Sequence, residues 1–426
     1  MSPSATWPTT CRSMWGKPMP ADAHTGEYLF QGRMYFYRQD PILCRYHFTF
    51  RDPIDPALLQ QALDKALGLA PYFAAEIELT AKEIHLRPNT RPCQVRTGAL
   101  QPTLPAEDGW LMAVSAQEQT IYLDWHHFLA DGRGMSRFAA LLLKCYCNLR
   151  YSTDFATPAL TNAPAYDIAA LVERWPEAYQ TGDFDREVVQ TWEGQVHRTL
   201  VRLQKQSLVD AALAAGVKPF SALCALLCMA VRPYLDKQQL TFSYTVDARQ
   251  ALQVPEALYN CVASFQGEAP AEQTSFSALA AGADAAIRHS LDLERIQRQL
   301  AMQMGWVYRV SQQKAPLRIQ RRLFQMGEYL GGIPADLWVS YLGYPLGAEG
   351  AELEDYLTDF QVWVPPDTGS LGVEAASLHG VITLCIENKA PADQQIEKKG
   401  KRRNYGREKA KSQNSAGNPQ DRKKCK

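Results

Sequence analysis

The seven residues His126-His127-Phe128-Leu129-Ala130-Asp131-Gly132 constrain this chain more than any other stretch, because the residue patterns on either side of them have different periods. Before them, Thr120 to Trp125 alternates apolar Ile121, Leu123 and Trp125 with more polar neighbours, which predicts a strand ending at the histidines. After them, Met135, Phe138, Ala139, Leu142, Cys145 and Tyr146 recur three and four apart, the apolar stripe of a helix. Two histidines, an aspartate and the glycines Gly132 and Gly134 therefore fall in a strand-to-helix loop, a place where a rigid scaffold presents reactive side chains.

Taken alone, the loop allows several chemistries. A histidine with a reference pKa of about 6.5 is mostly neutral at pH 7 and can act as a general base. Asp131 could orient such a base, as in a Ser-His-Asp triad. His127 and Asp131 at i, i+4 spacing could share a metal, although no third ligand is near and no His-Glu-x-x-His occurs. A pair of satisfied polar histidines at a strand end is the bland alternative. Gly132 and Gly134 suggest close backbone approach and positive φ. The remaining histidines, His24, His47, His85, His197, His289 and His379, are isolated.

Length and composition fit a globular protein. A chain of 426 residues with 46% hydrophobic content can fill two ordinary domains or one large bilobal unit. Nothing approaches the roughly 18 to 20 uninterrupted apolar residues of a membrane span, and the N-terminus lacks a basic segment followed by an apolar run. Ten cysteines occur without a Cys-x-x-Cys pair, and Cys145, Cys224 and Cys228 lie in apolar helical patterns, so buried free thiols in a reducing cytoplasm are expected. A formal net charge of zero hides an asymmetry: the stretch after Pro391, including Lys398-Lys399-Gly400-Lys401-Arg402-Arg403, is strongly basic and too poor in apolar residues to order itself. The body is not a nucleic-acid-binding surface.

Along the chain, residues 1–27 read as a mobile leader rich in turn formers. Strands around two helices run to about residue 150. A proline-marked connector with one helix, Ile168 to Arg174, follows. Val189 to Tyr234 reads as helical, punctuated by Gly216-Val217-Lys218-Pro219. Strands are then expected near Leu240 to Val246, Val262 to Gln266, Trp338 to Leu342, Phe360 to Val364 and Val381 to Glu387, with long helices between Phe276 and Leu330. This mixture without regular alternation favours an α/β sandwich of two lobes over a doubly wound sheet. The basic set Lys314, Arg318, Arg321 and Arg322 is either a solvated helix face or a partner for phosphates, and Trp306 and Tyr308 either pack in the core or line a channel.

The HHxxxDG pattern resembles the signature of the acyltransferase superfamily that includes chloramphenicol acetyltransferases, condensation domains of nonribosomal peptide synthetases, plant-type acyltransferases and alcohol acetyltransferases. Other stretches fall in the superfamily's order. Arg45-Tyr46-His47-Phe48-Thr49-Phe50 is similar to its opening strand, Asp55-Pro56 starts the next helix, and Pro71-Tyr72-Phe73 makes the bend after it. Pro219-Phe220-Ser221-Ala222-Leu223 begins an apolar helix. Asp247-Ala248-Arg249 resembles the "D-x-R" turn, Tyr259-Asn260-Cys261-Val262 the "G-N-x-V" segment with Tyr for Gly, and Ser340-Tyr341-Leu342-Gly343 the "S-x-x-G" strand. The Asp-Phe-Gly-Trp-Gly box of the plant-type branch is absent, and beyond Ala390 a lysine-rich stretch stands where a closing helix is expected. The likeness spans roughly residues 28 to 388 and is nearest to stand-alone alcohol acetyltransferase-like members.

The resemblance implies an α/β, two-lobed, CoA-dependent acyltransferase-like sandwich, each lobe a mixed sheet with flanking helices and the active site at the lobe interface. It divides the chain into a leader (1–27), an N-terminal lobe with the motif and connector (28–185), a C-terminal lobe (186–390) and a basic tail (391–426). It implies acyl transfer from a CoA thioester to a hydroxyl or amine, with His127 as general base and His126 in support. Asp131 then turns away from the base to pair with Arg249, Gly132 supports the loop, and Ser340 is an oxyanion donor or channel-lining residue. Acyl-CoA is a co-substrate, with no tightly bound cofactor and no metal. The alternatives are a condensation-type enzyme using a carrier-protein-bound donor, or a catalytically degenerate binding protein with the same fold.

Overall fold

The computed structural model describes residues 31–38, 42–99, 104–106, 108–176, 196–235, 239–331, 335–365 and 371–389. The expected leader (1–27) and basic tail (391–426) lie outside the described residues.

Two mixed sheets organise the molecule. The first contains β1 (Leu43–Phe50), β4 (Arg96–Thr97), β5 (Met112–Gln117), β6 (Thr120–His126) and β11 (Leu357–Trp363), in the order β11-β1-β6-β5-β4. Its pairs are antiparallel except β4 with β5. A separate hairpin is formed by β2 (Ala75–Leu79) and β3 (Ile84–Pro88). The second sheet contains β7 (Val196–Gln204), β8 (Leu240–Asp247), β9 (Val262–Ala269), β10 (Leu337–Tyr341), β12 (Leu371–Leu378) and β13 (Val381–Lys389), in the order β7-β13-β12-β10-β8-β9. Its centre is parallel, β8 with β10 and β10 with β12, while both flanks are antiparallel. Each sheet packs into its own large hydrophobic cluster. The expected two-lobed α/β sandwich is therefore the observed architecture.

The helices start where capping residues allow. α1 (Gly32–Tyr37) is a short helix that sequence periodicity did not suggest. α2 (Pro56–Leu69) begins with the Asp55 carboxylate accepting from Ala57 N and Leu58 N, and Pro56 occupies the first turn, where its missing N–H costs nothing. Its buried residues Leu59, Ala62, Leu63 and Ala66 form one stripe against α3 (Gly132–Tyr151), which Asp131 caps. α4 (Ile168–Arg174) is capped by Asp167. In the second lobe, α5 (Lys205–Ala214) and α6 (Pro219–Val231) precede α7 (Phe276–Ser290), α8 (Leu293–Ser311) and α9 (Leu317–Gly331), with Ser275 and Asp292 capping α7 and α8.

Two expectations are corrected. The helical reading of Val189 to Tyr234 fails over Val196–Gln204, which is β7, paired antiparallel with β13. Half-buried Val201 and Leu203 alternate with exposed Arg202 and Gln204, the one-sided pattern of an edge strand. The chain position of β11 also breaks a division by sequence, because these residues from the second half pair with β1 and complete the first sheet. No single helix among the described residues is long and apolar enough to cross a membrane. Eight cysteines, Cys44, Cys93, Cys145, Cys147, Cys224, Cys228, Cys261 and Cys385, are buried and free.

Candidate active site

β6 delivers the paired histidines. Its register with β1 places His126 opposite Leu43, and the next amide, His127 N, donates to Ile42 O at 2.9 Å. Beyond the strand the chain turns, and nearly every carbonyl of the turn accepts a hydrogen bond. His126 O accepts from Leu129 N at 2.8 Å, Leu129 O from the Tyr72 hydroxyl at 2.7 Å, and Ala130 O from Trp125 Nε1 at 3.0 Å. The carbonyls of His127 and Phe128 both accept from Asn260 Nδ2, at 2.9 and 3.3 Å, so a side chain of the second lobe fixes the loop of the first. Gly132 O accepts from the Tyr46 hydroxyl at 2.8 Å. A loop so held presents its side chains in one arrangement.

The His127 ring stacks on Tyr35, centroids 4.0 Å apart and planes 21° from parallel, and it lines a large cavity between the lobes. Its Nδ1 is enclosed by the protein. Burial holds its pKa below the usual histidine value, an effect that Asp131 and Asn260 offset only in part. His126 is almost fully buried. Its Nδ1 accepts from Phe128 N at 3.0 Å, and burial, with the neighbouring His127, lowers its pKa to about 4. His126 is thus a neutral ring used to close the turn.

Asp131 faces away from both imidazoles. Its Oδ1 accepts from Arg249 Nη2 and from Gly134 N, both at 2.8 Å, and its Oδ2 accepts from Cys261 N at 2.8 Å. Burial alone would raise its pKa, but Arg249 and the two amides outweigh it and hold the carboxyl below the usual range. Both oxygens are engaged by N–H donors, and neither is hydrogen-bonded to His127. Arg249 is itself held on four acceptors, adding Ala257 O, Tyr259 O and Asp247 Oδ1.

The glycines serve packing. Neither Gly132 nor Gly134 has the positive φ expected of them. A Cβ on Gly134 would lie 2.0 Å from Leu258 O, so this glycine lets α3 meet the second lobe's backbone. A Cβ on Gly132 would meet Leu342 and the Tyr46 hydroxyl at 3.2 Å. Gly32 of α1 likewise meets Phe128 O, bringing Tyr35 over His127.

The cavity has a volume of about 1180 Å³ and draws its walls from both lobes. Tyr35, Cys44, His127 and Gly132 come from the first; Asp247, Arg249, Trp306 and Ser340 come from the second. Trp306 is thus a wall residue, while Tyr308 is core. Ser340 faces the cavity from β10 and its hydroxyl is hydrogen-bonded to Glu374 on β12. The set Lys314, Arg318, Arg321 and Arg322 does not line it; Arg321 instead caps the carbonyls of Tyr37 and Arg38.

Comparison with known proteins separates sequence from shape. No family model and no curated protein sequence matches the chain. Solved structures do. Polyketide synthase associated protein 5 from Mycobacterium tuberculosis superposes with a TM-score of 0.58 at 14% identity, covering 86% of this chain and 94% of that one. The TRI101 protein of Fusarium sporotrichioides, solved with coenzyme A and T-2, gives 0.57 at 12% identity over 86% and 95%. The first condensation domain of the CDA synthetase gives 0.57 at 14% identity over 84% and 89%. The fold is that of acyltransferases and condensation domains.

Within that fold the structure brings His126, His127, Asp131, Gly132 and Arg249 together and sets Ser340 on another part of the cavity wall. Sequence reasoning assigned no role to Tyr35, Asn260 or Glu374. Asn260 stood inside the quoted Tyr259-Asn260-Cys261-Val262 segment and could have been found there. Tyr35 and Glu374 had no local signal.

Proposed function

We propose that this protein is an acyltransferase that moves an acyl group from a CoA thioester to a hydroxyl or amine of a small molecule, with His127 as general base. The supporting observation is an imidazole with a lowered pKa, held at the wall of an interlobe cavity with Nδ1 enclosed, and Nε2 is the nitrogen we assign to the substrate. Nε2 takes the acceptor's proton as its oxygen or nitrogen attacks the thioester carbon. Collapse of the tetrahedral intermediate expels the thiolate, and the imidazolium returns the proton to sulfur. No covalent acyl-enzyme is needed. A positioned base of this kind contributes about 10²–10⁴-fold. His126 and Asn260 keep the loop in register, and Asp131 with Arg249 braces it across the lobes. Ser340 is a channel-wall residue whose hydroxyl supports Glu374. The buried free thiols suit a reducing compartment, the cytoplasm.

The test is mass spectrometry of products formed by purified protein from mixed acyl-CoAs and cell metabolites, alongside His127→Ala. Wild type should give acylated product, and the variant should lose about 10²–10⁴-fold in rate with unchanged melting. Normal turnover by His127→Ala overturns the assignment. Absence of turnover across the panel favours a binding protein with this fold. A carrier-bound donor is the second reading, favoured by the superposition of a condensation domain and a polyketide synthase associated protein. Acyl-CoA assayed against the same acyl group on a carrier protein separates the two donors.

A further inference from the structure

Buried acids in this protein follow a rule that one residue breaks. Asp124 is paired with Arg45, Asp131 with Arg249, Asp284 with Arg288 and Glu387 with Arg198. Glu374 is buried to the same degree, yet among the described residues no cation acts on it; its partner is the Ser340 hydroxyl. Glu387, on the neighbouring strand, adds negative potential to the same place. An unpaired carboxyl in a protein interior is costly, and a packed core would hold an aliphatic residue here.

Its surroundings are those of a wall built for a ligand. Glu374 lies opposite Ser340, and the preceding same-face pair is Gly372 opposite Trp338, which in turn lies opposite Ser243 on β8. All five line the cavity that His127 also lines. Trp338 on β10 and Glu374 on β12 are thus diagonal neighbours on one face of adjacent strands, roughly 7–8 Å apart and within reach of a large aromatic side chain, and Gly372 between them carries no side chain. An aromatic face beside a carboxylate is the pairing that binds a basic nitrogen, through ring quadrupole and ion pair together.

We infer that Glu374, with Trp338, recognises a protonated basic nitrogen on the acyl acceptor, separate from the group that is acylated. The acceptor class is then an amino alcohol or a diamine. This inference rests on the acyltransferase reading for the word acceptor, but the site it describes binds its ligand with or without turnover. A cation entering here would supply the counter-charge that the protein supplies to each of the other buried acids named above. Burial, reinforced by Glu387, raises the Glu374 pKa to about 8, so at pH 7 cation binding should expel the carboxyl's proton. The other ionisable groups facing it are Cys44 and Tyr46 on β1 and Cys385, its cross-strand partner on β13, all pushed further up by burial and neutral throughout.

Isothermal titration of the full chain, without acyl-CoA, tests this with matched probes: phenethylamine against 2-phenylethanol, and hexylamine against hexanol. At least one amine should bind wild type tenfold or more tightly than its alcohol. Its enthalpy at pH 7 should vary with buffer as expected for release of close to one proton, and Glu374→Gln should lose tenfold or more for the amine relative to the alcohol. Should Glu374→Gln fail to fold by circular dichroism, the amine-to-alcohol ratio and proton release in wild type still decide. Alcohols binding as well as amines, no amine binding at all, or an unchanged ratio in a folded variant overturns the inference. None of these outcomes requires acyl transfer, so a failure of the proposed reaction registers separately.

Discussion

Asp131 and Arg249, 118 residues apart in sequence, meet at 2.8 Å with both side chains almost wholly buried, and they join the motif loop of the first lobe to the D-x-R turn of the second. The aspartate's other contacts are backbone amides from both lobes, so the pair behaves as a brace. Removing either member leaves the other's charge buried and uncompensated. Asp131→Ala and Arg249→Ala should each cost about 3–5 kcal/mol in chemical denaturation. The double variant should cost less than their sum, because the stranded charge is gone. Additive losses would show that the pair is not coupled.

The sign of the Asp131 shift gives the pair a pH dependence. A carboxyl whose folded pKa lies below its unfolded value contributes stability fully present above the unfolded value of about 3.9. That contribution is lost as pH falls through the lowered folded pKa. The stability gap between wild type and Asp131→Ala should therefore be constant from pH 5 to pH 7 and narrow below about pH 4.

Gly134→Ala should be far more damaging than Gly132→Ala. The new methyl at 134 would stand 2.0 Å from the carbonyl oxygen of Leu258, a backbone atom of the opposite lobe that cannot rotate aside. The methyl at 132 would meet a leucine side-chain end and a hydroxyl at 3.2 Å, and these can yield by a few tenths of an ångström. A loss of at least about 1–3 kcal/mol is expected for the first and a clearly smaller one for the second, read as melting temperatures. Equal effects would mean that the lobes are free to separate at this contact.

Much of this arrangement was legible in the chain. The change of period at His126 located the strand, the loop and the helix, because apolar side chains alternate along β6 up to Trp125 and recur three and four apart in α3, although burial runs on through Asp124 of β6 and all of Phe138 to Cys147 in α3. Arg249 was reached only through the resemblance of Asp247-Ala248-Arg249 to the D-x-R turn, because its partner Asp131 lies 118 residues away in sequence. β7 was misread, since an exposed edge strand of long polar residues carries a weak period-two signal. β12 was missed, because Gly372, Ala375, Ala376 and Ser377 are poor strand markers whose burial comes entirely from neighbouring strands. Tyr35 meets His127 across 92 residues of chain and Glu374 meets Ser340 across 34, and nothing in their immediate sequence announces either contact.

Catalysis should persist at lower pH than an ordinary histidine permits. The proposed reaction uses the neutral form of His127, and burial lowers its pKa, so the protonated form accumulates only below the usual value of 6.5. The acid limb of kcat/KM for the acyl donor should therefore have its midpoint below 6.5 and be absent from the residual rate of His127→Ala. A limb at or above 6.5 would place another group in control.

Glu374 should make the protein less stable as pH rises, the opposite of Asp131. Its carboxyl is protonated in the fold up to about pH 8 but ionises from about 4.5 once the chain unfolds. Between those values the folded state holds one more proton than the unfolded state, so each pH unit removes about 1.4 kcal/mol of stability through this group. Glu374→Gln cannot ionise and should lack that slope. Urea denaturation at pH 5, 6, 7 and 8 should show the variant gaining on wild type by close to that amount per unit. A difference independent of pH would mean that Glu374 is already ionised in the folded protein. An amine probe at saturating concentration should shrink the slope in wild type alone, since it stabilises the ionised carboxylate in the fold.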